Sequence, residues 1–138
     1  MYLFVYGTLM SDVGHPMGAR LAREARLLGP GTISGRLFDL GRYPALVETD
    51  SDDELVHGEV YALNSPPASF RWLDPYEGIV PGRQDYSEYD RLLRPVRLHN
   101  GKELTAYVYV YRRDLTRGRY IQDGRWRPEY VARETGTN

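Results

Sequence analysis

The chain has 138 residues, 41% of them hydrophobic and 27% charged, with a formal net charge of −1 and no Cys. That reads as one globular domain, 1–138, and excludes a disordered or fibrous chain, disulfides, a thiolate nucleophile and thiolate metal ligation. The balanced charge gives no field to gather nucleic acid or an anionic membrane, no apolar run nears the ~20 residues of a membrane span, and Met1 to Tyr6 has no signal-peptide character, so a cytoplasmic location is expected.

Tyr2 to Tyr6 is an unbroken β-prone run and predicts a buried strand. Gly7-Thr8-Leu9-Met10 leaves it, with Ser11 and Asp12 available as helix caps. From Val13 to Leu28, Met17, Leu21, Ala25 and Leu28 recur at helical spacing and predict one apolar helix face. Gly29-Pro30-Gly31 then predicts a helix cap and turn, and Thr32 to Leu40 a strand. Tyr43 to Val47 continues extended, and Glu48 to Glu54 forms an acidic turn. Leu55 to Leu63 alternates as a strand, with Val56, Val60 and Ala62 on one face.

Pro66-Pro67 opens a short helix carrying Phe70, Trp72 and Leu73. Pro75 should end it, making Asp74-Pro75-Tyr76-Glu77-Gly78 a partly exposed terminating turn. Ile79 to Ser87 reads as loop. Tyr89 to His99 and Glu103 to Tyr111 are paired strands around the Asn100-Gly101 hairpin turn. In the second, Leu104, Ala106, Val108 and Val110 face one way and Thr105, Tyr107, Tyr109 and Tyr111 the other. Arg113 to Asn138 reads as irregular, anchored by Trp126. The order is not an alternation of strands and helices, so the expected class is α+β: a small mixed β-barrel or strongly curved sheet flanked by two helices.

Several patterns carry bland explanations. Gly29 to Gly35 follows a helix and lacks dinucleotide-loop spacing. The Glu48 to Glu54 run lacks the glycine and distal Glu of a calcium loop. His15, His57 and His99 show no metal-ligand spacing, so no metal is expected. The arginines from Arg112 to Arg127 are diluted by Asp114, Asp123 and Glu129 and read as a solvated surface, without nucleic acid as a partner.

Three features point to chemistry. Tyr6-Gly7-Thr8-Leu9 joins a buried strand to a helix, where glycine lets backbone N–H groups form an anion nest and the helix adds its positive end. Glu77 lies beyond a helix C-terminus near Asp74; dipole and like charge would both raise its pKa, which suits a general base. Tyr89-x-Arg91 opens the next strand.

In this order these motifs, with Gly58-Glu59-Val60-Tyr61-Ala62-Leu63, resemble the γ-glutamylcyclotransferase-like family, including its AIG2-like and γ-glutamylamine cyclotransferase branches. The tail Ile121-x-x-Gly124-x-Trp126 is similar to small bacterial members. The resemblance covers most of the chain and implies a small mixed barrel flanked by helices. It implies that Glu77 is the catalytic acid/base and that Tyr6, Gly7, Thr8 and Leu9 hold the substrate's glutamyl head. Tyr89 is expected to add a phenol to the same cavity, with Tyr107, Tyr109 and Tyr111 as further candidates. Thr8-Leu9 stands where the glutathione-pathway enzymes tend to have Ser-Asn, which tilts the likeness towards the AIG2-like or γ-glutamylamine branch.

The implied reaction cyclises the γ-glutamyl group of a γ-glutamyl amine or amino acid to 5-oxoproline and frees the amine. It needs no cofactor, and its only implied partner is the small substrate; a homodimer stays open. Two other readings also stay open: a non-catalytic module binding a small carboxylate, and an enzyme removing a γ-glutamyl protecting group in a biosynthetic pathway.

Overall fold

The computed structural model describes residues 1–127; residues 128–138, including Glu129 and the end of the expected irregular tail, lie outside the described residues. In chain order the elements are β1 (Tyr2–Val5), α1 (Pro16–Glu24), β2 (Ala25–Ser34), β3 (Arg36–Asp39), β4 (Pro44–Val47) and β5 (Leu55–Leu63). They continue with α2 (Pro66–Tyr76), a 3-10 turn (Gln84–Tyr86), β6 (Tyr89–Leu98), β7 (Glu103–Tyr111) and β8 (Arg119–Ile121). Five strands close a barrel in the order β1-β5-β2-β6-β7, and β4-β3-β8 form a separate small sheet. All barrel pairs are antiparallel except β1 with β7, which close it in parallel at Leu3 and Tyr107. No helix among the described residues is long and apolar enough to cross a membrane.

The two-residue period of the strands makes two cores. Phe4, Ile33, Val56, Val60, Val96, Ala106, Val108 and Val110 fill the first, with Leu37, Leu46 and Ile121 of the small sheet and Trp126. Leu3, Val5, Tyr61, Tyr89 and Tyr109 form the second, packed against Leu21 of α1 and Phe70 and Leu73 of α2. The two faces read from β7 therefore separate as its alternation requires: the aliphatic side chains join the first core and Tyr109 the second. Each buried Val or Leu contributes about 1.5–3 kcal/mol, so both cores hold the barrel and fix the helices to it.

Four expectations need correction. The helical face read through Leu28 ends at Glu24, and Ala25 is already extended at φ −146° and ψ 163°. Arg26 and Leu27 pair with Ala62 and Tyr61 of β5, and this pairing overrides the periodicity. Gly29-Pro30-Gly31 is no turn but part of β2: its register with β5 shifts between Leu27 and Gly29, and Gly29 takes a φ of +125°. Thr32 to Leu40 is not one strand, because the chain breaks at Gly35 and changes sheets. The expected irregular tail supplies β8, paired with β3 from Leu37–Ile121 to Asp39–Arg119. The Ile79 to Ser87 loop also holds the short 3-10 turn.

Gly58 lies where β5 runs against β1. A Cβ built on it would stand 2.2 Å from the Val5 carbonyl oxygen and 2.7 Å from Phe4 Cζ. The nearer atom is backbone within a paired strand and cannot swing away. Gly58→Ala should therefore cost about 1–3 kcal/mol as overpacking, read as a lower urea midpoint with an unchanged slope.

Candidate active site

The loop after β1 is fixed at several points. Met10 N–H donates to the Gly7 carbonyl at 3.1 Å, closing a turn. Ser11 donates its N–H and its hydroxyl to the two carboxylate oxygens of Glu59 at 2.6 and 2.7 Å. Thr8 Oγ1 shares a 2.7 Å hydrogen bond with the Tyr76 hydroxyl at the end of α2. Gly7 is required by space: a Cβ there would lie 2.7 Å from Pro44 Cγ. Among the described residues, no backbone or side-chain acceptor takes the N–H of Gly7, Thr8 or Leu9.

α1 opens beside this loop, but with fewer donors than the sequence leads one to expect. The cap is His15 rather than Ser11 or Asp12, and its Nδ1 accepts the Met17 N–H at 3.0 Å. Pro16, the first helical residue, has no N–H to give.

The end of α2 is built differently from the expected turn. The helix runs through Pro75 to Tyr76, and Glu77 is its C-cap. Gly78 N–H donates to Pro75 O at 3.0 Å and Ile79 N–H to Asp74 O at 2.9 Å, with Gly78 at φ +75°; this is a Schellman turn. Pro75 lacks the N–H that would reach the Arg71 carbonyl, and the helix ends one residue after it. Asp74 latches the turn to the barrel: Tyr109 donates to its Oδ1 at 2.6 Å, and Arg91 Nε lies 3.5 Å from the same atom. Arg91 also stacks on Phe70, its guanidinium carbon 3.7 Å from the ring centre. Tyr89-x-Arg91 thus divides, with Arg91 in the latch and Tyr89 donating to the Pro44 carbonyl at 2.6 Å.

These elements enclose a cavity of about 600 Å³. Tyr6, Gly7, Thr8, Leu9, Glu77 and Tyr89, all singled out in the sequence, line it together. Tyr109 lines it as well, whereas Tyr107 and Tyr111 do not. Sequence reasoning missed His15 and Tyr76, and also Arg42 to Pro44 from the β3–β4 turn. Tyr43-Pro44 had read only as extended chain, and nothing local marks Arg42. Among the described residues no three His, Asp or Glu side chains converge as a metal site.

Glu77 caps α2 and is half-buried, the partly exposed position expected. Its carboxyl lines the cavity and is pushed up to about 8, by loss of solvation first, then by Glu88 and Asp74. The sequence supplied Asp74 but missed both the loss of solvation and Glu88. Tyr6, which donates to the Tyr109 carbonyl at 2.5 Å, is raised by burial and then by Glu77. Tyr89 is likewise raised, by burial, Tyr6 and Glu77. Both phenols stay protonated and can only donate or accept hydrogen bonds.

A carboxyl raised in the folded state from its ordinary value of 4.5 to about 8 favours folding in its neutral form. That contribution is complete below about 4.5, shrinks above it and is lost as pH passes through about 8. Glu77→Gln, neutral at every pH, should therefore gain stability relative to the parent between those values. Denaturant midpoints of both proteins across that range check the sign.

The family described as Gamma-glutamyl cyclotransferase, AIG2-like matches residues 3–128. No curated protein matches the chain. Among solved structures, the ytfP protein of Escherichia coli is 31% identical, with a TM-score of 0.61 over 91% of this chain and 96% of that one. An aig2-like protein of Mus musculus is 25% identical, with a TM-score of 0.60 over 79% of this chain and 75% of that one. YkqA of Bacillus subtilis shares the fold at 23% identity and a TM-score of 0.69, over 97% of this chain, which spans only 42% of YkqA. The fold, the motifs gathered on one cavity and the match over nearly the whole length agree: the chain belongs to the AIG2-like γ-glutamyl cyclotransferase family.

Proposed function

We propose that the protein cyclises the γ-glutamyl group of a γ-glutamyl amine or amino acid to 5-oxoproline and releases the free amine, with Glu77 as the proton carrier. The observation that carries this reading is a half-buried carboxyl raised to about 8 that lines one cavity with the N–H groups of Gly7, Thr8 and Leu9, from which no described residue accepts. A γ-glutamyl amide brings its own nucleophile, the α-amino nitrogen. The N–H groups hold the α-carboxylate, and the walls fold the substrate so that this nitrogen meets the γ-carbonyl carbon. Positioning of this kind lowers a barrier by about 7–11 kcal/mol.

Glu77 in its ionised form takes a proton from the α-ammonium. The freed nitrogen attacks the carbonyl carbon, and cavity donors stabilise the tetrahedral oxyanion. As the intermediate collapses, the departing amine nitrogen takes the second proton from the ring nitrogen and so leaves as an ammonium. The carbon–nitrogen bond to the amine breaks, and Glu77 returns its proton to the leaving nitrogen. A carboxyl near 8 exchanges protons with an amine at little energetic cost, whereas an ordinary carboxylate is too weak a base. The bound ammonium also draws Glu77 towards its ionised form.

Release of 5-oxoproline from a set of γ-glutamyl amides tests the reading. Glu77→Gln should lower turnover by about 10²–10⁴-fold, with a much smaller effect on substrate affinity. The kcat/KM of the parent should rise with pH up to about 8, and that limb should vanish in the variant. A variant as fast as the parent would remove Glu77 from the mechanism.

A further inference from the structure

The turn between β3 and β4 is unusually well supported for a surface connection. Leu40 N–H donates to Tyr43 O at 3.1 Å, Gly41 has a φ of +106°, and Gly41 N–H donates to Asp39 Oδ1 at 2.7 Å. Asp39 is itself buried and paired with Arg119 at 3.0 Å. Beyond the turn, Pro44 accepts from Tyr89 and packs against Gly7, which leaves no room for a Cβ. The residue this frame presents is Arg42. It is exposed and lines the cavity. Among the described residues, no carboxylate lies within ion-pair distance of it.

The cavity's charge balance is one-sided. Glu77, held neutral to about 8, is the only carboxyl among its described lining residues, against the guanidinium of Arg42. Asp74 is taken by Tyr109 and Arg91, and Glu88 does not line the cavity. Nor is Arg42 needed for the glutamyl head, since the loop after β1 offers its own free N–H groups to the α-carboxylate. A cavity of about 600 Å³ holds a ligand well beyond a glutamyl group. Its mouth therefore presents an unfilled cation to whatever is attached through the γ-amide.

We infer that Arg42 receives an anionic group on the amine portion, so that the preferred substrates are γ-glutamyl conjugates of amino acids rather than of neutral or cationic amines. This rests on the cyclotransferase reading above. Arg42 acts here as a specificity determinant and takes no part in proton transfer. Its contribution is that of a solvent-exposed pair: modest, and screened by salt.

The test compares γ-glutamyl-alanine with γ-glutamyl-alaninamide, which differ only in the carboxylate of the amine portion. Both are measured for 5-oxoproline release and, by calorimetry, for binding to the parent, Arg42→Gln and Arg42→Glu. The parent should favour the acid by about fivefold in kcat/KM, and the preference should shrink as salt is raised. The ratio should fall to about one in Arg42→Gln and invert in Arg42→Glu, as expected for a single charge contact. Equal use of both compounds by the parent would overturn the inference. So would an equal loss on both in Arg42→Gln, which would assign Arg42 to the glutamyl head instead. If neither compound yields 5-oxoproline, the cyclotransferase reading fails on its own, and calorimetry decides Arg42 separately. Acid-selective binding lost in Arg42→Gln would keep the anion assignment, and binding without selectivity would overturn it.

Discussion

A carboxyl partly stripped of water at the C-terminus of a helix, with two more carboxylates nearby, is the arrangement on which the rest of this molecule turns. Left alone, Glu77 would swing into solvent and ionise. It is kept in place by the Schellman turn over Asp74 to Ile79 and by the Tyr109–Asp74–Arg91 latch that ties α2 to the barrel. The latch needs Tyr109 on the outer face of β7, which in turn needs the strict alternation that sends Ala106, Val108 and Val110 inward. The barrel's inner packing and the height of one pKa are thus linked by a single strand's periodicity.

Two kinds of group line the cavity. The first are backbone donors that no described residue accepts from, on a loop that Gly7 lets press against Pro44. The second is an acid whose charged form is disfavoured, in a cavity it shares with phenols that remain protonated. A ligand with a carboxylate at one end of its head and an ammonium at the other satisfies both at once. The carboxylate fills the donors, and the ammonium relieves the cost of ionising Glu77. In the proposed reaction that ammonium becomes the nucleophile, so recognition and activation draw on the same contact.

The strands were legible because their signals are local. Leu55 to Leu63 alternates, Asn100-Gly101 marks its hairpin, and the faces of β7 can be read residue by residue. The motifs on the cavity were legible too, since Tyr6 to Leu9, Glu77 and Tyr89 lie in short recognisable stretches. What escaped depends on partners distant in sequence. Ala25 to Leu28 has a helical period, yet it becomes strand because β5 offers a pairing edge. Arg119 to Ile121 is too short to declare itself and forms only against β3. The same holds for the site: the partial desolvation of Glu77, its approach to Glu88 and the placement of Arg42 all follow from tertiary packing.

The central claim is electrostatic and can be measured without any substrate. With glutamate carboxyl carbons labelled by ¹³C, the Glu77 resonance is assigned by its loss in Glu77→Gln and followed through a pH titration of the intact protein. A midpoint near 8 is expected for that resonance alone, well above the other glutamates. A Glu77 that titrates with them, near the ordinary value of about 4.3, would contradict it.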